Sequence, residues 1–216
     1  MLKRKFVTIL CLALSFPGIR NLYAQSEYVM ATVRLMEPAV NLYGTPLASI
    51  GASLGYGRAF NNSHWGSEYT AFADNLNSSF KFATNKEFQA ATLIAGLAVT
   101  PTYCINPKNE TIKISGGVSV KTGYNWGQTD VYVPGTDGAT GKTLEYKTAD
   151  AGITIAVAPM VIIALTGEDN RFLCLEFGYD TSSFGTGPSK IRSAYYNPPG
   201  YNWGYLFVSI AYRLSN

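Results

Sequence analysis

Along most of this chain apolar and polar residues alternate with a period of two, the spacing of a strand with two unlike faces. Residues 111–126 carry the clearest case. Ile112, Ile114, Gly116, Val118, Val120, Thr122, Tyr124 and Trp126 fall on one side, and Thr111, Lys113, Ser115, Gly117, Ser119, Lys121 and Gly123 on the other. Wound as a helix, the same residues would give no coherent apolar stripe. In 88–104, Leu93, Leu97, Val99 and Tyr103 oppose Thr92, Gly96, Ala98, Thr100 and Thr102. In 171–180, Leu173, Leu175, Phe177 and Tyr179 oppose Cys174, Glu176 and Gly178; in 204–215, Leu206, Val208, Ile210, Tyr212 and Leu214 oppose Phe207, Ser209, Ala211 and Arg213. Residues 47–60 set Gly51, Gly55 and Gly57 against Ile50, Leu54 and Tyr56, and 28–36 and 67–75 alternate more weakly.

Residues 151–165 are apolar on both faces. A helix of that length would rise only about 22 Å against a bilayer core of about 30 Å, and Pro159 and the β-branched residues disfavour it. Read as a strand, one face is bulky (Ile153, Ile155, Val157, Val161, Ile163, Leu165). The other is mostly small (Gly152, Thr154, Ala156, Ala158, Ala164), which suits the crowded inside of a narrow barrel.

Eight strands are therefore expected, joined by 37–46, 61–66, 76–87, 105–110, 127–150, 166–170 and 181–203. Long and short connections alternate, with 127–150 and 181–203 the longest. Short turns at one end and long loops at the other are the habit of outer-membrane barrels.

The first residues stand apart. Lys3, Arg4 and Lys5 precede an apolar run from Phe6 to Pro17, the pattern of a secretory signal peptide and too short to span a bilayer. Residues 1–24 are expected to be that signal peptide, cleaved after Ala24 or Ser26, with 25–216 forming one barrel domain. The leader takes four of the 17 basic residues and none of the 14 acidic ones, so the mature chain carries 13 bases and sits near −1 rather than +3. No basic stretch with interleaved aromatics remains, and nucleic acid is not an expected partner. Charged residues make up only 14%, while Gly (21) and Tyr (15) are abundant, as suits many short strands with aromatic anchors.

An eight-stranded meander can be a membrane barrel or a soluble lipocalin-like calyx, and the two differ in where the apolar face points. Here one face is nearly free of charge over five strands, whereas the opposite faces carry Lys113, Lys121, Glu176 and Arg213. A dry calyx would bury those charges at several kcal/mol each unless they were paired; a polar lumen lets them pair. Aromatics gather at strand ends: Tyr124, Trp126, Tyr179, Trp203 and Tyr205 toward the loops, and Tyr103, Phe172 and Tyr212 toward the turns. Two such girdles are expected where headgroups meet hydrocarbon.

In this organisation the chain resembles the small eight-stranded outer-membrane β-barrel proteins of Gram-negative bacteria, over nearly all of its mature length and without a family-specific motif. The resemblance implies an all-β, antiparallel up-and-down transmembrane barrel in the cell outer membrane. Outer-membrane lipid would be its surroundings, and the protein would be monomeric.

Little chemistry accompanies that architecture. The single histidine, His64, lies in a short turn beside Ser63, and neighbours on an extended chain point apart, so no catalytic constellation is expected. No cofactor motif or metal-ligand spacing is present. Asp130, Asp137, Asp150 and Glu145 read as charges of a solvated loop. Binding residues are expected in the long loops: Trp126 and Tyr132 around the first, Tyr195, Tyr196, Tyr201 and Trp203 around the stiff Pro198-Pro199 of the second. Rigid aromatic area on loops is typical of recognition surfaces. The expected role is structural or surface recognition, toward an extracellular ligand or partner protein; a narrow channel or small-molecule carrier is the alternative. Cys104 and Cys174, on the fourth and seventh strands, should lie about 13–15 Å apart by strand spacing, beyond the roughly 7 Å a disulfide tolerates.

Overall fold

The computed structural model describes residues 25–38, 49–60, 64–81, 86–109, 111–135, 141–166, 171–183 and 204–215. The expected leader lies outside them. Eight strands, β1 (Gln25–Pro38), β2 (Ser49–Phe60), β3 (Trp65–Lys81), β4 (Glu87–Cys104), β5 (Ile112–Pro134), β6 (Lys142–Thr166), β7 (Arg171–Asp180) and β8 (Tyr205–Ser215), follow one another around a closed ring. Every neighbouring pair is antiparallel, and β8 returns to β1 with Tyr212 opposite Ala31. Closure pairs the last strand with the first, so the ring itself has no edge for another chain to extend.

Parity holds along the body of the strands and breaks toward the loop end of β5, where Thr129, Asp130 and Val131 are all buried. Along β4, Phe88, Ala90, Thr92, Ile94, Ala98 and Thr100 are buried while Leu93, Leu97 and Tyr103 are exposed. The small face of 151–165 lies inside, with Ala156, Ala158 and Ala164 buried and Ile153, Ile155 and Val157 outside. Gly96 of β4 and Gly123 of β5 face each other in register. A Cβ added at Gly96 would collide with the carbonyl oxygen of Thr122 and with the Cα of Gly123. Only glycine fits there.

The strands differ from expectation mainly in length. Residues 127–150, expected as a long loop, are strand except for 135–141, of which 136–140 lie outside the described residues: β5 runs 23 residues and β6 25. Likewise β3 continues to Lys81, which shortens the next connection to 82–86. The strict alternation of long and short connections is therefore incorrect. Around Tyr132, Leu144 and Tyr146 polar residues hide the period of two, so these positions read as loop in sequence. Cross-strand pairing carries the ladder through them, with a bulge between Val131 and Tyr132.

Strand β7 pairs with β6 from Met160–Gly178 to Thr166–Phe172, and just past it the Thr181 N–H donates to the Val157 carbonyl at 3.0 Å. Cys104 is half-buried, Cys174 is buried, and both thiols are free, as their strand positions require.

Candidate functional site

Inside the barrel the charged side chains form two layers. The upper one is centred on Lys121 of β5, whose ammonium is held by Asp74 of β3 and, at 2.6 Å, by Asp180 of β7. Arg34 of β1 reaches Asp180 at 3.4 Å and lies 4.4 Å over the Phe207 ring. The Phe72 ring covers Lys121 at 4.3 Å, and the side chains of Lys121, Asp74 and Asp180 are 3%, 2% and 0% exposed. Two cations and two carboxylates thus balance in a space with almost no access to bulk water.

The lower layer is centred on Arg213 of β8, 2.6 Å from Glu68 of β3 and 3.6 Å from Glu176 of β7. Tyr28 donates to Glu68 at 2.7 Å and Ser209 donates to Glu176 at 2.7 Å. Between the layers lies a cavity of about 20 Å³ lined by Thr32, Arg34, Glu68, Asp74, Lys121 and Glu176 among others. That volume is room for about one water molecule. Among the described residues the lumen is filled by cross-linked side chains.

Of the lumen charges read from sequence, Lys121, Glu176 and Arg213 belong to these layers. Lys113 does not: it is half-buried near the turn end, 5.7 Å over the Phe172 ring. Four partners escape the sequence reading, namely Arg34, Glu68, Asp74 and Asp180. Glu68 and Asp74 share the parity of Phe72, and Arg34 that of Met30, so the inward face of β1 and β3 mixes charge with large apolar residues. That mixture is why those strands alternate weakly in sequence.

At the turn end, His64 stacks on Tyr103 at 5.1 Å and its Nδ1 lies 2.6 Å from the Cys104 carbonyl oxygen, while Trp65 meets Tyr103 edge-on. His64 is occupied with backbone and ring, and Ser63 lies outside the described residues. At the other end Tyr124 and Trp126 pack at 4.9 Å on the outer face of β5. Tyr179 and Tyr212 also point outward, but two members expected in the girdles do not. Tyr205 is buried, and Phe172 lies inside beneath Lys113. Both have the inward parity of their strands. Between the girdles the outer wall carries no charged residue in β1 from Val29 to Leu35, in β4 from Leu93 to Tyr103 or in β8 from Leu206 to Leu214.

Above Trp126 the β5–β6 hairpin projects from the wall, and ion pairs tie it down. Lys142 bonds Glu87, and Lys86 donates to both oxygens of Glu145 at 2.8 and 2.6 Å. The Lys142 ammonium, with the Gln89 amide, holds the Glu87 carboxyl below its usual range. Trp126, half-exposed at 51%, and Tyr132, half-buried, are strand residues at the base and on the shaft of this hairpin. Tyr195, Tyr196, Tyr201 and Trp203 lie outside the described residues. Among the described residues no three His, Cys, Asp or Glu side chains gather as a metal site.

No family model matches this sequence, and no curated protein matches it significantly. Solved structures do match in fold. The chain is similar to a major outer membrane protein from Thermus thermophilus, at 14% identity and a TM-score of 0.50, over 89% of this chain and 100% of that one. Neisserial surface protein A matches at 11% identity and a TM-score of 0.48, over 90% and 100% of the two chains. Ail, the attachment invasion locus protein of Yersinia pestis, solved with the heparin analogue sucrose octasulfate, matches at 13% and 0.40, over 88% and 97%. The fold is that of the small eight-stranded outer-membrane β-barrels.

Proposed function

We propose that this protein is exported on its leader 1–24, sits in the outer membrane as a monomer surrounded by lipid, and serves a structural or surface-recognition role through its loop end. The observation that carries the membrane part is the inverted wall. Ionic side chains are buried inside while Val33, Leu54, Leu97, Ile155 and Ile210 are more than half exposed outside. A soluble calyx needs the reverse distribution, and an uncharged exterior belt with aromatic rims matches a hydrocarbon layer.

The recognition part rests on the loop end. One face of the molecule carries the projecting hairpin, with Leu144 and Tyr146 exposed, and the segment 181–203 with its Tyr and Trp residues beside Pro198 and Pro199. A ligand or partner protein outside the cell would meet these rings first. Ionic cross-links and a cavity of about 20 Å³ speak against the channel reading. Replacing Tyr195, Tyr196 and Tyr201 together by Ala is expected to leave barrel assembly intact. It should weaken the attachment of cells displaying the protein to immobilised glycan and protein arrays, each ring contributing up to a few kcal/mol if it is a hot spot. Full attachment by the folded variant would place recognition elsewhere.

A further inference from the structure

On the outer wall one cross-strand row runs Trp65, Tyr103, Gly116, Val161, Phe177, a residue from each of β3 to β7. Four of the five are exposed side chains that are aromatic or branched, and the one between Tyr103 and Val161 is a glycine. Gly116 therefore opens a gap, and with Ile105 the row lines an apolar groove of about 940 Å³, the size of a small-molecule site. None of these side chains is charged. The fold does not require the glycine. Its φ is not left-handed, and a Cβ added to it would meet no atom of the described residues within 4 Å. The inner-face glycines Gly51, Gly55, Gly96 and Gly178, by contrast, are each pressed by a neighbour. Glycine weakens a strand interior, and it often marks a place where a ligand or another backbone comes close. No described part of the barrel comes close to Gly116.

We propose that this groove holds one acyl chain of a membrane phospholipid, bound in place while lipid around the rest of the wall exchanges freely. The inference deepens the outer-membrane reading above and rests on it. The groove is continuous with the uncharged outer belt, so hydrocarbon is what surrounds it. It lies toward the turn end, which in such barrels is the periplasmic side. The two longest internal stretches outside the described residues, 39–48 and 184–203, join strands at the other end. The polar end of a phospholipid also finds partners there. His64 stacks on Tyr103, and Lys108 follows Ile105 in the β4–β5 turn, both of them exposed. They stand beyond the Trp65 and Tyr103 rings, on the side where a headgroup phosphate would lie, and an ammonium bonds phosphate strongly.

Photo-cross-linking tests the site. The folded protein is irradiated in phosphatidylcholine vesicles doped with phosphatidylglycerol that bears a diazirine on one acyl chain, and the lipid adducts are mapped by mass spectrometry. Adducts on residues 101–105, 114–118 and 159–163 should exceed several-fold those around Val33 and Ile210, which are as exposed and lie outside the groove. Gly116→Leu, whose side chain grows into open space, should keep the heat-dependent gel shift of a folded barrel. It should also bring the groove adducts down to the level of the remaining wall. Even labelling around the ring would mean bulk lipid contact only and would overturn the proposal, as would unchanged labelling in folded Gly116→Leu. So would a parent that is dimeric in these vesicles and becomes monomeric on Gly116→Leu, which would place a second copy in the groove. If the variant does not assemble, the comparison of groove with wall in the unaltered protein decides alone. A protein that stays out of the vesicles would overturn the membrane reading itself, and this inference with it.

Discussion

Lys121 is the residue on which the interior most depends. Its ammonium joins Asp74, Asp180 and the Phe72 ring, so replacing it by Met leaves Asp74 buried without a cation and Asp180 with Arg34 alone. Breaking a buried pair in this way costs about 3–5 kcal/mol. Urea unfolding in lipid vesicles should show a loss of that size for Lys121→Met, and adding Asp74→Asn, which leaves Asp180 paired with Arg34, should restore most of it. If the single variant is as stable as the parent, the layer is not the support described here. Lys121 itself can be read from sequence, because the alternation of 111–126 is clean and its parity is plain. Its partners cannot, since they come from strands distant in the chain, two of them with large apolar residues on the charged face. Periodicity tells which way a side chain points, whereas only strand order tells what it meets.

For the elements, the instructive case is the β5–β6 hairpin. Sequence patterning places the end of β5 at Trp126, where the apolar face stops, because a period of two is visible only while the two faces differ. Beyond the girdle both faces are wet and the contrast fades, yet the backbone ladder continues, tied by Lys142–Glu87 and Lys86–Glu145. Glu87 begins β4, well above Leu93, and lies outside the membrane-spanning part of that strand. With its folded pKa depressed by Lys142 and Gln89, it contributes stability that is present above its unfolded value of about 4.3. That contribution is lost as pH falls through the lower folded value. Amide protection in the hairpin should thus drop below about pH 4, and Lys142→Met should remove that dependence. Because Lys142 is 43% exposed, the tie contributes only about 0.2–1 kcal/mol. A hairpin whose exchange does not change across this range would argue against the pair. The β4–β5 seam allows a harsher test: Gly96→Val should cost at least about 1–3 kcal/mol through overpacking, seen as a lowered urea midpoint. An unchanged midpoint would mean that the strands do not approach as closely as Gly96 and Gly123 indicate.

Taken whole, the molecule is an inside-out object: an ion-linked interior, an apolar exterior, and a β5–β6 hairpin that projects from the wall. Strand number, the parity of the cleanly alternating strands and the free state of the two cysteines are legible in the sequence, because closure of a two-faced sheet leaves few alternatives. The length of β5 and β6 is not, since it depends on pairing beyond the girdle, where patterning is silent. The most direct measurement is a nitroxide scan of β4 from Leu93 to Thr100 in lipid vesicles, one label at a time. Positions 93, 95, 97 and 99 should be open to oxygen dissolved in the bilayer and shielded from a water-soluble nickel reagent, with 94, 98 and 100 shielded from oxygen. Odd positions open to the aqueous reagent, or a protein that stays out of the vesicles, would contradict a membrane barrel.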